Sequence, residues 1–171
     1  MRPWRAEDAG ALAPVLAANV EHLGPWIPGH VSTPAPLLAL AKRLADFADD
    51  FAAARAFRYA LFTLDESRLL GEADLFPRTA ERRVELASAD RVELGYWLDA
   101  AVVGRGFATE AMRALLGVAT TLPGIGRAEI RCDERNGRSV SIPQRLGFTL
   151  TESAGTMQVW CSQLSVHNEA S

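Results

Sequence analysis

Between Arg91 and Thr121 a strand pattern runs into two closely spaced glycines and then into an amphipathic helix, and no other stretch restricts the fold as much. Arg91 to Leu98 reads as a strand. Gly104 to Thr121 reads as loop then helix, with Ala108, Ala111, Met112, Leu115, Leu116 and Ala119 on one face. The first turn of such a helix has backbone N–H groups with no partner inside the helix. Those groups and the helix dipole favour a bound anion, most often a phosphate. Gly104 and Gly106 carry no Cβ to keep that anion from the backbone. A plain strand-to-helix turn has the same pattern, so the segment alone does not fix a function.

The elements around it narrow the architecture. Asp8 to Val20 shows helical spacing, with Asp8 as its expected cap, and Gly24 to Gly29 breaks the helix. Leu37 to Ala54 predicts a second helix. Phe57 to Leu64 and Arg68 to Phe76 predict strands of a hairpin turning at Asp65-Glu66-Ser67. Ala80 to Asp90 is charged and admits either loop or irregular strand. Pro123-Gly124 ends the glycine-loop helix. Arg127 to Asp133 alternates, with Ala128, Ile130 and Cys132 on one face and Glu129, Arg131 and Asp133 on the other. Ser139 to Leu146 predicts a helix in which Pro143 forces a late start or a kink. Phe148 to Thr151 and Thr156 to Leu164 predict closing strands, and the tail from Val166 is expected to fray. Two helices, an antiparallel meander and a β-α-β-α-β run make a mixed α/β or α+β domain, not a doubly wound sheet.

Length and charge exclude several classes. The 171 residues suit one domain, residues 1–171. A net charge of −3 gives no electrostatic footprint for nucleic acid or an anionic membrane. Arg82-Arg83, between Glu81 and Glu85, reads as a solvated face. Cys132 and Cys161 lie in no CxxC pair and have no His at ligand spacing, so neither a disulfide framework nor a metal site is expected. No apolar run suggests a signal peptide or a membrane span, and a soluble cytoplasmic protein is expected.

A dinucleotide site is the first alternative, because Gly104-x-Gly106 precedes a helix, a strand and Asp133. Against it, the third glycine position is Thr109. The preceding strand carries Arg91 and Glu93, unlike a parallel strand buried on both faces. Only one β-α-β unit is available for two mononucleotide halves.

Gly95-Tyr96-Trp97-Leu98, followed by Gly104-Arg105-Gly106-Phe107-Ala108-Thr109-Glu110-Ala111, resembles the acetyl-CoA loop of the GNAT superfamily. The likeness is nearest to the branch that acetylates ribosomal-protein N-termini. Asn136-Gly137-Arg138-Ser139 with Arg145-Leu146-Gly147-Phe148 resembles that branch's second cofactor segment. Arg2 to Ala9 resembles its opening, and Leu70-Gly71-Glu72 its mid-sheet strand.

The resemblance implies a GNAT-like α+β fold: a central, mostly antiparallel twisted sheet splayed at its fourth strand, with helices on both faces. It implies acetyl-CoA as cosubstrate and an amine acceptor, either a peptide N-terminus or a small molecule, in a monomer or homodimer. Backbone amides of Val103, Gly104, Arg105, Gly106, Phe107, Ala108 and Thr109 would hold the pyrophosphate. Gly95 would mark a bulge, and Tyr96, Trp97 and Leu98 would pair with the pantetheine arm. Asn136 would contact the arm, and Ser139 would sit near the sulfur. Two departures stand out. Val103 replaces the common Gln or Arg, with little loss expected because backbone amides do the holding. The opening before Asp8 is short, so either the first strand is truncated or the true start lies upstream.

The expected chemistry is direct attack of a neutral amine on the thioester. An α-amino group, with a pKa near about 8, needs less help than a lysine near about 10.4. Glu93, on the polar face of the strand, is the first candidate base, directly or through water, with Asp74, Glu72 and Asp90 behind it. Backbone N–H near Trp97 would serve an oxyanion. Ser139 would stabilise the departing thiolate or simply start a helix. His22, Trp26 and His30 flank the loop that borders the acceptor cleft in this family, though a loop histidine is usually plain surface. Trp4, Trp97 and Trp160 read as core. Besides the dinucleotide oxidoreductase, a catalytically inactive acyl-CoA sensor has the same features.

Overall fold

The computed structural model describes residues 1–164; the tail expected to fray from Val166 lies outside the described residues. Seven strands are ordered β1-β2-β3-β4-β5-β7-β6. They are β1 (Arg2–Pro3), β2 (Phe57–Phe62), β3 (Leu69–Arg78), β4 (Arg91–Leu98), β5 (Arg127–Asp133), β6 (Thr149–Ala154) and β7 (Met157–Gln163). The helices are α1 (Ala9–Ala18), α2 (Val20–Leu23), α3 (Gly29–Ser32), α4 (Leu37–Ala52), α5 (Phe107–Ala119) and α6 (Gly137–Arg145). The recorded pairings are antiparallel except β4 with β5, which are parallel. None of the described helices is long and apolar enough to cross a membrane.

The chain forms two compact units, and β3 and β4 each run from one into the other. The first comprises Met1–Ala73 and Tyr96–Ala108. Its core gathers Trp4, Leu12, Leu16, Leu23, Leu40, Leu44, Ala60, Leu69 and Trp97, so the apolar faces of α1 and α4 are buried as their spacing predicts. Trp4 keeps its indole N–H satisfied by donating to Glu72 Oε2 at 2.7 Å, and Arg58 pairs with the same carboxylate at 3.2 Å. The second unit comprises Asp74–Gly95 and Thr109 onward. There Val92, Leu94, Met112, Leu115, Ala128 and Ile130 are buried, as the period of two in β4 and β5 and the helical period in α5 require.

Two local expectations are corrected, and a third, left open, is decided. Asp8 does not cap α1 with its side chain. Both its oxygens accept from Arg2, each at 2.8 Å, and Oδ2 also accepts from the Arg5 N–H at 2.9 Å. The ion pair and one tight turn outcompete a helix cap. Second, α6 begins at Gly137, earlier than predicted, and runs through Pro143. Asn136 supplies the N-cap by accepting from the Ser139 N–H, which pins the first turn before the proline arrives. Third, Ala80 to Asp90 is an irregular excursion with one bridge, Arg78 to Arg83, and a 3-10 turn at Leu86–Ser88.

The Asp8 pair sets an acid limb. Burial would raise its pKa, but the Arg2 guanidinium and the Arg5 N–H more than offset that and hold it below the ordinary value. A carboxyl lowered in the folded state stabilises the protein above its unfolded pKa of about 3.9, and that contribution is lost as pH falls through the folded value. Urea midpoints of wild type and Asp8→Asn should therefore differ at pH 6 and converge as pH drops below about 4. Parallel acid limbs would show that Asp8 carries no such linkage.

Candidate functional site

The end of β4 is held against β3. A Cβ on Gly71 would lie 2.1 Å from the Trp97 carbonyl oxygen, and the Asp99 N–H donates to the Leu70 carbonyl at 2.9 Å. The backbone groups of residues 97 and 99 thus point at β3. Because these groups alternate along a strand, those of Tyr96 and Leu98 point to the opposite edge. The stretch near Trp97 expected to serve an oxyanion thus has Trp97 facing β3 and its neighbours Tyr96 and Leu98 facing away from it. The side chain of Trp97 is 4% exposed and belongs to the core, as its reading predicted. The parallel ladder between β4 and β5 runs from Arg91↔Arg127 to Leu94↔Ile130, ending one residue before Gly95.

After Leu98 comes a 3-10 turn, Ala100–Val102, capped by Asp99, whose carboxylate accepts from the Ala101 N–H at 3.1 Å. Val102 is fully buried and Ala108 is buried, whereas Gly104, Arg105 and Gly106 between them are exposed. Gly104 and Gly106 have φ of +79° and +87°, and a Cβ on either would meet nothing within 4 Å. An anchored loop with exposed glycines at the mouth of a 13-residue helix fits a diphosphate: the amides are reachable and no side chain fills the approach.

Asn136 and Ser139 sit together at the start of α6, where the carboxamide oxygen of Asn136 accepts from the Ser139 N–H at 3.2 Å. The capping role considered for Ser139 belongs to Asn136.

Glu93 is not a plain solvent-facing residue. One oxygen accepts from Arg78 Nη1, the other from Arg83 Nη2 at 2.5 Å, and Arg131 Nε lies 3.8 Å away. Its neighbour across the ladder, Glu129, is 2% exposed and pairs with Arg91 and Arg131, each at 3.0 Å. Asp74 is buried, with its Oδ2 3.6 Å from where a Gly95 Cβ would be. Arg82 and Arg83 are both exposed, as a solvated face requires, and Arg83 also lies 3.5 Å from the Phe76 ring centroid. Sequence reasoning missed Arg78 and Arg83 because the carboxylate they share, Glu93, is ten or more residues away from each. It also missed Asn19, whose one local signal was a polar residue ending an alanine-rich helix. Asp133 is held by Arg135 and Thr156, which keep its carboxyl well below the usual range; that is a turn-closing role.

The family model described as "Acetyltransferase (GNAT) domain" matches residues 1–149. A probable N-acetyltransferase, YjcK, of Bacillus subtilis is 26% identical over 107 residues, covering 63% of this chain and 56% of that relative; the chain thus matches little more than half of its length. The ribosomal-protein-S5-alanine acetyltransferase of Vibrio fischeri superposes with a TM-score of 0.77 at 19% identity, covering 95% of this chain and 91% of that one. RimJ of Mycobacterium smegmatis, solved in complex with CoA-disulfide, superposes with a TM-score of 0.74 at 20% identity, covering 95% and 80%. At these identities the superpositions speak for the fold.

Proposed function

The chain belongs to the acetyltransferase (GNAT) domain family, and we propose that it transfers an acetyl group from acetyl-CoA to a primary amine by direct attack, a protein N-terminus being the favoured acceptor. The observation that carries this reading is the exposed Gly104-Arg105-Gly106 loop, directly downstream of a strand end whose Tyr96 and Leu98 backbone groups point away from β3. The named transferases among the structural neighbours and the lower pKa of an α-amine support the choice of acceptor. A small-molecule amine is the alternative.

Bound acetyl-CoA supplies the electrophilic thioester. Amides from Val103 to Thr109 hold the diphosphate, and the Tyr96 and Leu98 edge orients the arm. A backbone N–H on that edge would donate to the carbonyl oxygen as negative charge develops on it. The carboxylate of Glu93 has accepting capacity beyond its arginine bonds, enough for a water that relays the amine proton.

Melting curves with acetyl-CoA and with NADH test the cosubstrate: acetyl-CoA should raise the midpoint and NADH should not. Thiol release across a panel of N-terminal peptides and small amines tests the reaction. Binding of CoA with no turnover on any amine would favour the inactive sensor instead. In Glu93→Gln, turnover should fall by roughly 10²-fold or more with CoA affinity within about twofold of wild type, the signature of a lost base. Unchanged turnover would leave Glu93 only its arginine contacts.

A further inference from the structure

Asn19 closes α1 and is 2% exposed. Its backbone N–H already caps the helix by donating to the Leu16 carbonyl at 3.2 Å. The side chain is directed mostly elsewhere. Oδ1 accepts from the Ala100 N–H at 2.8 Å, and Nδ2 donates to Asp99 Oδ1 at 3.1 Å as well as to the Val15 carbonyl at 2.8 Å. Asp99 in turn accepts from the Ala101 N–H at 3.1 Å and from Arg68 at 3.0 Å. Those contacts hold the Asp99 carboxyl below its ordinary range against the upward push of burial.

These two residues are where β4 ends and the 3-10 turn leading to Val103 begins. A carboxamide combines donors and an acceptor on one rigid group, so it can serve an amide, a carboxylate and a carbonyl together. No aliphatic or hydroxyl side chain does that. We propose that Asn19 is a positioning residue for acetyl-CoA: by gripping Asp99 and Ala100 from the end of α1, it sets the direction in which the Val103–Thr109 loop leaves the strand, and with it the affinity for the diphosphate. The inference rests on the reading of that loop given above.

The test is calorimetric titration with CoA, beside melting curves of the unliganded proteins. Asn19→Asp keeps the bond from Ala100 but sets two carboxylates face to face. It should weaken CoA binding by about tenfold or more, the worth of one buried bond made repulsive. The reciprocal double variant Asn19→Asp/Asp99→Asn restores a donor–acceptor pair and should return affinity to within about fivefold of wild type, as coupled neighbours do. If Asn19→Asp does not fold, Asn19→Ala, which adds no charge, carries the same comparison. A wild type that binds no CoA would overturn the assignment of the loop itself. A wild type that binds, with Asn19 variants that melt lower but bind within about twofold, would overturn only the positioning role, as would a double variant no better than the single one or failure of both single variants to fold.

Discussion

Gly71→Ala should yield little folded protein. The residue has φ of +154°, and its missing Cβ would stand 2.1 Å from the Trp97 carbonyl oxygen, 2.8 Å from Leu98 Cα and 3.0 Å from Leu98 Cδ2. Two of those atoms are backbone, so no rotamer change relieves the overlap. To admit a methyl group, β3 and β4 must move apart. That breaks the Asp99 to Leu70 bond and loosens Leu69 and Trp97, both in the core. Overpacking a core costs about 1–3 kcal/mol where side chains can yield, and a backbone clash with a strained φ belongs at or beyond the top of that range. Against a typical total of about 5–15 kcal/mol, the loss is large. Soluble yield and the urea midpoint are the measurements. A variant whose midpoint stays within about 0.2 M of wild type would mean that the two strands do not approach as described.

What the sequence revealed and what it hid divide along the range of the interactions. The bounds of β5 were readable to the residue because Arg127 to Asp133 alternates without interruption, and the existence of α5, though not its bounds, because its apolar stripe is long and regular. The same alternation put Glu129 on the face opposite Ala128, Ile130 and Cys132, and on that face Glu129 is buried. Alternation assigns a face, not an exposure, and here arginines from β3, β4 and β5 surround the carboxylate. Arg82-Arg83 is exposed as its acidic neighbours suggested, but the contacts of Arg83 with Phe76 and Glu93 were not readable from those neighbours. Asp8 looked like a cap because it precedes a helix, but Arg2 claims it. The glycine loop is a local pattern and was readable, whereas the Asn136 cap went unread because the helix was expected only from Ser139. That Trp97 faces β3 and Tyr96 and Leu98 face away needed the register between the strands, and the bond from Ala100 to Asn19 spans 81 residues.

Gly106→Ala and Gly104→Ala should show the opposite balance, with little loss of fold and a severe loss of cofactor affinity. Both glycines are exposed, and an added Cβ meets nothing within 4 Å. The structural cost is therefore confined to holding alanine at positive φ, about 1–2 kcal/mol. The functional cost is larger. Either the alanine keeps the φ and puts a methyl group in the exposed approach to the amides, or the peptide turns over and its N–H no longer faces the ligand. Amide bonds to an anion are worth about 1.5–3 kcal/mol each, so two displaced donors weaken CoA binding by about a hundredfold or more. Gly117, exposed within α5 with the same free space, is the internal control. Its change to alanine should raise the melting temperature, since alanine favours a helix over glycine by about 1 kcal/mol, and leave CoA affinity unchanged. Titration of the three variants decides the matter. Equal CoA affinity in Gly104→Ala, Gly106→Ala and Gly117→Ala would show that the diphosphate is held elsewhere, because only the first two stand where a methyl group meets the ligand.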